Sequence, residues 1–195
     1  MANQAKPFRY TISALLCMTA MLFAGNATAE EPLPKVLVET SLGSFEVTLR
    51  PDIAPETVSN FRQYVADDYY DGLIFHRVIP GFMVQGGGFD PDLRPQRTRK
   101  PVVNEAKPTA KNLRGTIAMA RTQDPDSATS QFFINLVDNS FLDAGARGPG
   151  YAVFGKVTDG MGVVDAIASK PTGQQRGMAN VPNEPIMIRN ITLLP

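Results

Sequence analysis

Short runs of alternating apolar and polar residues, separated by segments rich in Pro, Gly, Asn and Asp, recur along most of this chain. In KVLVETSLGSFEVTLR (35–50), apolar residues recur at every second position on both sides of a turn at Leu42-Gly43. Such alternation is typical of strands that bury one face, because successive side chains point to opposite sides of a sheet. The pattern therefore favours a mainly β architecture.

Two segments have a helical spacing of apolar residues instead. They lie at 54–66 and 161–169, and Pro55 suits the first turn of the first helix. Many short strands, two helices and long irregular loops predict a closed or nearly closed antiparallel β-barrel capped by two α-helices. Further strand-like runs lie at 73–79, 82–85, 115–120, 131–136, 152–157 and 185–194.

The beginning of the chain differs in kind from the rest. It carries two basic residues and no acidic residue, followed by an apolar run at 12–24 and by the small triplet Ala-Thr-Ala at 27–29. This order predicts a secretory signal peptide at 1–29, cleaved ahead of a mature domain at 30–195. The apolar run is shorter than the roughly 20 residues that span a bilayer, and an uncleaved membrane anchor is the alternative.

Removing 29 of the 195 residues leaves a mature chain of 166 residues without cysteine, because Cys17 is the only one. An exported protein of this kind has no disulfides and depends on its core, which a domain of this size can supply. After loss of Lys6 and Arg9, 17 basic residues stand against 19 acidic ones. Nucleic-acid binding is therefore not expected, and no second apolar stretch is long enough to cross a membrane.

The inventory of side chains excludes several kinds of catalysis. His76 is the only histidine, and a lone histidine in an apolar strand is most often a core residue. The mature chain has no thiol, no G-x-S-x-G turn and no His/Cys cluster with metal-ligand spacing. The glycines at 86–88 lack the Lys-Ser/Thr of a phosphate-binding loop and indicate an ordinary loop. What remains is a reaction without nucleophile, proton relay, metal or cofactor.

Four segments carry a specific resemblance. They are FHRVIPGFMVQGG (75–87), RGTIAMA (114–120), SQFFINL (130–136) and YAVFGKVTDGM (151–161). In sequence, order and spacing they resemble the cyclophilin family of peptidyl-prolyl cis-trans isomerases, and the resemblance covers residues 35–194. It implies a closed eight-stranded antiparallel barrel with a helix over each end. With the signal-like start, the chain is most similar to the periplasmic bacterial members.

The same resemblance implies what the protein does and where. We expect a monomeric, cofactor-free isomerase of the periplasm that acts on proline-containing segments of unfolded or partly folded exported proteins. The family's essential arginine falls on Arg77. The substrate-binding positions fall on Phe82, Met83, Gln85, Ala120, Arg121, Gln131, Phe133, Phe141, Leu142 and Tyr151, of which Phe82, Met83, Phe133 and Leu142 form the proline pocket.

Three of these positions depart from the best-known eukaryotic pattern. Phe141 stands in place of tryptophan, Tyr151 in place of histidine and Arg121 in place of asparagine. Because Phe141 lacks an indole N–H donor, only weak cyclosporin binding is expected. The charge of Arg121 raises the hypothesis that acidic residues near the substrate proline are preferred.

Arg77 suits a reaction in which an amide is twisted. An X–Pro bond is planar through resonance, with a barrier near 20 kcal/mol. Once twisted, the proline nitrogen regains its lone pair and accepts a hydrogen bond. A donor beside this nitrogen therefore stabilises the transition state and not the ground state, and a guanidinium is a permanently charged, planar donor.

The turn after Ile79 decides whether Arg77 and Gln85 share a face. A two-residue hairpin at Pro80-Gly81 would pair Arg77 with Val84 and place Gln85 on the other face. Pro-Gly favours a type II turn, which fits tight hairpins poorly. Because the family requires Arg77 and Gln85 on one side, we predict a register shifted by one residue.

Two other functions stay open at this level. A peptide-binding chaperone with incidental or no isomerase activity would use the same pocket, although an intact Arg77 argues against loss of catalysis. A small-ligand barrel of the lipocalin type would need an apolar cavity inside the barrel. The cyclophilin resemblance predicts packed side chains there and a groove on the surface.

Overall fold

The computed structural model describes residues 1–2 and 32–195, so the predicted signal peptide lies almost entirely outside the described residues. Pro32–Pro195 form one compact unit. The described residues contain ten strands, two α-helices and one short 3₁₀ helix. In chain order they are β1 (Lys35–Thr40), β2 (Gly43–Leu49), α1 (Pro55–Ala66), β3 (Arg77–Ile79), β4 (Met83–Gly86), β5 (Thr116–Met119), β6 (Phe132–Asn135), the 3₁₀ helix (Ser140–Leu142), β7 (Val153–Asp159), α2 (Met161–Ala168), β8 (Thr172–Gln175), β9 (Met178–Pro182) and β10 (Ile188–Leu193).

Eight strands form one antiparallel sheet in the order β10-β1-β2-β7-β5-β6-β4-β3. The mainly β class and the eight strands are confirmed, but the prediction of a closed barrel is wrong, because the end strands β3 and β10 do not pair. Backbone hydrogen bonds join 72–75 to 186–188, yet β3 begins only at Arg77, beyond that contact. At its other end this contact stops at Gly72, whose φ of +77° departs from the extended backbone of a strand. The sheet is therefore curled and open.

The alternation in 35–50 is confirmed as an antiparallel pair of strands. β1 and β2 pair in register from Lys35 opposite Thr48 to Thr40 opposite Gly43. The turn occupies 41–42, one residue earlier than predicted. Alternate apolar side chains of both strands are buried in the main core, as period-2 burial of one face requires.

Aromatic side chains fill the concave side of the sheet. The ring of Phe61, on α1, lies 5.1 Å from that of Phe154, 5.3 Å from that of Tyr70 and 5.9 Å from that of Phe132. The helix α2 buries Val164 and other apolar residues in the same core. Edge-to-face and tilted contacts of this kind mark a close-packed interior. The space that a lipocalin-type ligand would occupy is taken by these side chains.

The N-terminus of α1 is capped from a distant loop. Pro55 stands in the first turn, as predicted, but Ala54 at the cap position has no side-chain acceptor. The carboxylate of Glu105 accepts hydrogen bonds from the backbone N–H groups of Glu56 and Thr57, at 3.2 and 2.7 Å. A carboxylate at this end satisfies free N–H groups and complements the helix dipole.

The structure contains a hairpin that the sequence did not reveal. β8 (TGQQ) is polar, β9 (MANVP) lacks a regular alternation, and their turn has Arg176 at φ +47° and Gly177 at φ +82°. Two successive positive φ angles define a type I′ hairpin turn, which normally carries Asn-Gly.

No helix among the described residues is long and apolar enough to span a bilayer.

Candidate active site

One row of side chains crosses five strands on the convex face of the sheet. The strand registers place Arg77 opposite Gln85, Gln85 opposite Phe133, Phe133 opposite Ala118, and Ala118 opposite Val153. Directly opposed residues of antiparallel strands share a face. Their neighbours along each strand point into the main core. The row therefore gives the sheet a second apolar cluster, separate from the main core, with Arg77 at its end.

The register predicted for β3 and β4 is confirmed. The N–H of Phe82 donates to the carbonyl of Ile79 at 3.0 Å, and Gly81 has φ +71°. Pro80 at the second and Gly81 at the third position are typical of a type II turn. The loop between the strands thus has three residues, and Arg77 faces Gln85.

Nine of the eleven predicted site residues surround one cavity of about 120 Å³. Gln131 and Phe141 do not line it but contact residues that do. β3, β4 and β6 contribute through the face described above, and Phe82, the 3₁₀ helix and residues 120–121 and 151 close the sides. The lining residues are Arg77, Phe82, Met83, Gln85, Ala120, Arg121, Phe133, Leu142 and Tyr151.

The apolar side of the cavity is firmly packed. Met83 and Phe133 are almost fully buried. The ring of Tyr151 meets that of Phe133 edge to face, with centroids 5.6 Å apart. Phe141 is 41 % exposed and stacks on Phe82 at 5.6 Å, so it supports the cavity wall from outside. Phe141 therefore lies partly exposed on the 3₁₀ helix and not in the lining.

A chain of hydrogen bonds holds the side chains on the polar side of the cavity in place. Nη1 of Arg77 donates to Oε1 of Gln85 at 3.4 Å, and Nε2 of Gln85 donates to Oε1 of Gln131 at 3.0 Å. Gly88 leaves room for this arrangement, since a Cβ there would lie 2.5 Å from the Gln131 side chain. The guanidinium is thus oriented by two neutral amides and keeps further N–H donors free for a ligand.

We expect Gly88→Ala to lower kcat/KM for a proline peptide roughly two- to tenfold, the equivalent of one neutral hydrogen bond. The added methyl group must displace Gln131 and release Gln85 and, through it, Arg77. Protease-coupled turnover measures the effect. Gly162→Ala is the control, because a Cβ at that helical position meets nothing within 4 Å. Equal activity of both variants would mean that the amide chain does not position Arg77.

A buried polar network supports the wall formed by Phe82, and sequence reasoning missed it. Asn139 donates through Nδ2 to the carbonyl of Phe82 at 2.9 Å and to Oδ1 of Asn135 at 2.8 Å. Asn135 in turn donates to Thr116 Oγ1 at 2.9 Å and to Asn112 Oδ1 at 3.3 Å. The Asn residues of SQFFINL and DNS carried the only signal, since Asn inside a buried strand needs partners.

Asp143 anchors the other end of this network. Its Oδ1 accepts from the backbone N–H of Asn112 at 2.7 Å, and Lys111 lies 3.4 Å from its Oδ2. Burial raises the pKa of this carboxyl, but the hydrogen bonds from Asn112 and Lys111 outweigh burial and bring the pKa below its ordinary value. The carboxylate therefore stays charged and fixes the end of the 3₁₀ helix that carries Phe141 and Leu142.

His76 is a buried residue and not part of the cavity lining, in line with the core assignment. Its Nδ1 has no hydrogen-bond partner, and its ring lies 4.6 Å from that of Phe89. Loss of solvation, aided by the charge of Arg77, lowers the pKa of His76 from 6.5 to about 4. The imidazole is therefore neutral at physiological pH.

We expect the folded protein to lose stability as the pH falls from about 6.5 to about 4, because only the unfolded chain then binds a proton at His76. Above pH 6.5 the residue is neutral in both states and contributes nothing. Once the pH is below about 4, the loss of unfolding free energy due to His76 reaches roughly 3 kcal/mol. In untagged protein of residues 30–195, the single imidazole resonance reports this titration by NMR. A midpoint near 6.5 in the folded protein would contradict the burial argument, and His76→Gln should flatten the pH dependence of unfolding in this range.

Comparisons with known proteins agree with this geometry. The family model of the cyclophilin type peptidyl-prolyl cis-trans isomerase/CLD matches residues 35–193. Peptidyl-prolyl cis-trans isomerase A of Dickeya dadantii is 49% identical over 183 residues, covering 94% of this chain and 96% of the relative. Peptidyl-prolyl cis-trans isomerase B of Escherichia coli K12 is 48% identical over 161 residues, covering 81% of this chain and 98% of the relative.

A solved structure has the same fold. It is the Cryptosporidium parvum cyclophilin type peptidyl-prolyl cis-trans isomerase, crystallised in the presence of the dipeptide Ala-Pro. It superposes with a TM-score of 0.71 at 27% identity, covering 83% of this chain and 99% of its own. This chain therefore belongs to the cyclophilin family of peptidyl-prolyl cis-trans isomerases, an enzyme class that its fold and its cavity fit.

Proposed function

We propose that this protein accelerates the rotation of X–Pro bonds during the folding of exported proteins, with Arg77 as the catalytic residue. The observation that carries the proposal is a guanidinium at the rim of an apolar cavity of about 120 Å³. Sites for drug-sized ligands measure about 300–1,000 Å³, so this cavity suits a single small side chain. A proline ring is such a group, and a related enzyme crystallised with Ala-Pro supports the choice.

The reaction needs a contact that exists only at the top of the barrier. The planar X–Pro amide resists rotation by about 20 kcal/mol, because resonance ties up the nitrogen lone pair. Twisting by a right angle restores the lone pair. An N–H of Arg77 directed at that nitrogen then forms a charge-assisted hydrogen bond that the planar substrate cannot form.

The cavity supplies the remainder of the rate enhancement. A charge-assisted hydrogen bond contributes about 1.5–3 kcal/mol, or one to two factors of ten in rate. Phe82, Met83, Phe133 and Leu142 would hold the proline ring while the preceding carbonyl swings. Twisting reduces the charge separation of the amide, so an apolar surrounding favours the twisted form over the planar one.

Other lining groups are assigned to the substrate backbone. Gln85 and Gln131 fix the guanidinium and offer amide groups to a bound chain, and Ala120 stands next to them at the end of β5. Tyr151 and Phe141 complete the apolar surface around the proline site. In this arrangement every predicted site residue either contacts the bound chain or supports one that does.

The test is the isomerisation rate of an X–Pro peptide with the mature protein, measured by NMR exchange with and without cyclosporin. We expect catalysis above the uncatalysed rate of tens to hundreds of seconds per turnover. We also expect inhibition only at high cyclosporin concentration, since Phe141 offers no N–H donor. Absence of catalysis by folded protein would overturn the proposal.

A peptide-binding chaperone is the second candidate, and the geometry favours it less. Peptide binding alone does not require the oriented guanidinium of Arg77. If Arg77→Ala suppressed aggregation of an unfolded client as well as the unchanged protein did, while losing isomerisation, the two functions would be separate. If the variant isomerised as fast as the unchanged protein, the catalytic assignment would fail.

The site of action is the periplasm in this proposal. The signal-like order of charged start, apolar run and Ala-Thr-Ala at 27–29 supports export and cleavage before Glu30. Mass spectrometry of the protein from a periplasmic extract should give a chain that begins at Glu30. Sedimentation of that chain should give the mass of a monomer.

A further inference from the structure

Arg121 is a cation that the isomerisation step does not use. Its Nε and Nη2 donate to the carbonyl of Gly150 at 3.1 and 3.0 Å, and its Nη1 donates to the carbonyl of Thr122 at 2.8 Å. Its Cζ lies 4.4 Å from the centroid of the Tyr151 ring. Carbonyl dipoles and the ring face hold the guanidinium in one place at the cavity.

The charge of Arg121 is not neutralised by an ion pair within residues 32–195. The acidic residues nearest in sequence are Asp124 and Asp126, and their carboxylates accept backbone N–H groups instead. Carbonyl groups and an aromatic ring orient the cation but leave its full charge in place. It remains available to an anionic group brought by a ligand.

The cavity as a whole is positive. Its lining contains two guanidinium groups, Arg77 and Arg121, and no acidic side chain. Arg77 donates to the neutral amide of Gln85. The chain has equal numbers of acidic and basic residues, so this potential is local and not a consequence of net charge. A cleft lined by one sign of charge concentrates ligands of the opposite sign.

We propose that Arg121 determines specificity, favouring substrates with Glu or Asp within a few residues of the proline. The inference rests on the proposed isomerase function, which supplies the bound chain. Carbonyl groups occupy three of the five N–H donors of the guanidinium. The other two can donate to a carboxylate in charge-assisted hydrogen bonds. A lysine at the same substrate position is repelled.

The effect should be moderate and sensitive to salt. Arg121 is half-buried, so solvent screens part of the interaction. For pairs of this kind we expect kcat/KM to differ about three- to fivefold between Glu and Lys peptides at low ionic strength. The ratio should approach one at 1 M salt, where the screening length is about 3 Å.

The experiment compares peptides that carry Glu, Gln or Lys at each position from three residues before to three residues after a single proline. Turnover gives kcat/KM, and fluorescence anisotropy of labelled peptides gives Kd independently of turnover. The peptides are compared within each protein variant, so a change in folding or overall activity cancels from the ratio. Arg121→Gln is the test variant. Arg189→Gln is the control, since it removes an equal charge from an exposed position outside the cavity lining.

The inference predicts a preference for Glu over Lys at one or more positions, abolished by Arg121→Gln and kept by Arg189→Gln. Equal kcat/KM and equal Kd for the Glu, Gln and Lys peptides would overturn the inference. A preference for Glu that survives in Arg121→Gln would also overturn it. If the peptides bound in the order Glu, Gln, Lys without turnover, the inference would stand and the isomerase proposal would fail.

Discussion

Replacement of Arg77 by alanine should lower kcat/KM roughly ten- to hundredfold, the value of one charge-assisted hydrogen bond in the transition state. The apolar cavity remains in this variant, so some catalysis over the free peptide should persist. The kcat/KM of Arg77→Lys should fall between that of Arg77→Ala and that of the unchanged protein. It keeps the charge but loses the planar fork that Gln85 orients.

Two controls show whether a loss of turnover in Arg77→Ala comes from the reaction itself, from the lost charge or from unfolding. Arg189→Ala removes an exposed arginine of β10 outside the cavity lining and should leave turnover unchanged. Thermal unfolding should show that Arg77→Ala is folded, because Arg77 is only half-buried and makes one long hydrogen bond at 3.4 Å. Turnover of Arg77→Ala equal to that of the unchanged protein would remove Arg77 from the mechanism.

Replacement of Asn135 by alanine should affect both stability and activity. The change removes the partner of Asn112 Oδ1, one partner of Thr116 Oγ1 and one of Asn139 Nδ2, all in a buried region. Leaving buried polar groups unpaired should cost about 2–3 kcal/mol of unfolding free energy. Asn139 is then free to shift, and with it the Phe82 carbonyl that it holds.

Movement of this wall should lower kcat/KM of the folded Asn135→Ala protein about tenfold, because small misplacements of a positioning surface are costly in rate. Urea denaturation and turnover below the unfolding transition measure the two effects separately. Phe61→Leu is a matched control, since it disturbs the main core on the other face of the sheet. It should reduce stability without reducing turnover. Loss of stability alone in both variants would show that the network does not position the cavity wall.

The parts of the fold that the sequence predicted are those set by local patterns. β1 and β2 follow from the alternation in 35–50, and α1 follows from its apolar spacing and from Pro55. The open edge of the sheet could not be foreseen, because it depends on where β3 begins relative to a contact distant in sequence. The hairpin of β8 and β9 was missed because β8 is polar, β9 lacks a regular alternation and the turn begins with Arg176.

The candidate site also has features that were predicted and features that were missed. The register of β3 and β4, and with it the face on which Gln85 lies, was predicted because the cyclophilin resemblance requires it, while the Pro-Gly turn alone only disfavoured a tight hairpin. The network around Asn135 was missed, since its partners Thr116 and Asn112 come from segments 19 and 23 residues away. The restraint of Arg121 by Gly150 also depends on a long-range contact. The resemblance thus predicted most of the side chains that line the cavity, and tertiary contacts decide how firmly they are held.

The most direct test concerns whether Arg77 acts on the twisted state and not on the bound substrate. NMR line shapes of a proline peptide with protein of residues 30–195 give the rate of cis–trans interconversion on the enzyme and the Kd of the peptide separately. For Arg77→Ala we expect the on-enzyme rate to fall at least about tenfold, while Kd changes less than about twofold, as loss of a transition-state contact requires. A Kd raised by the same factor with an unchanged on-enzyme rate would contradict this mechanism.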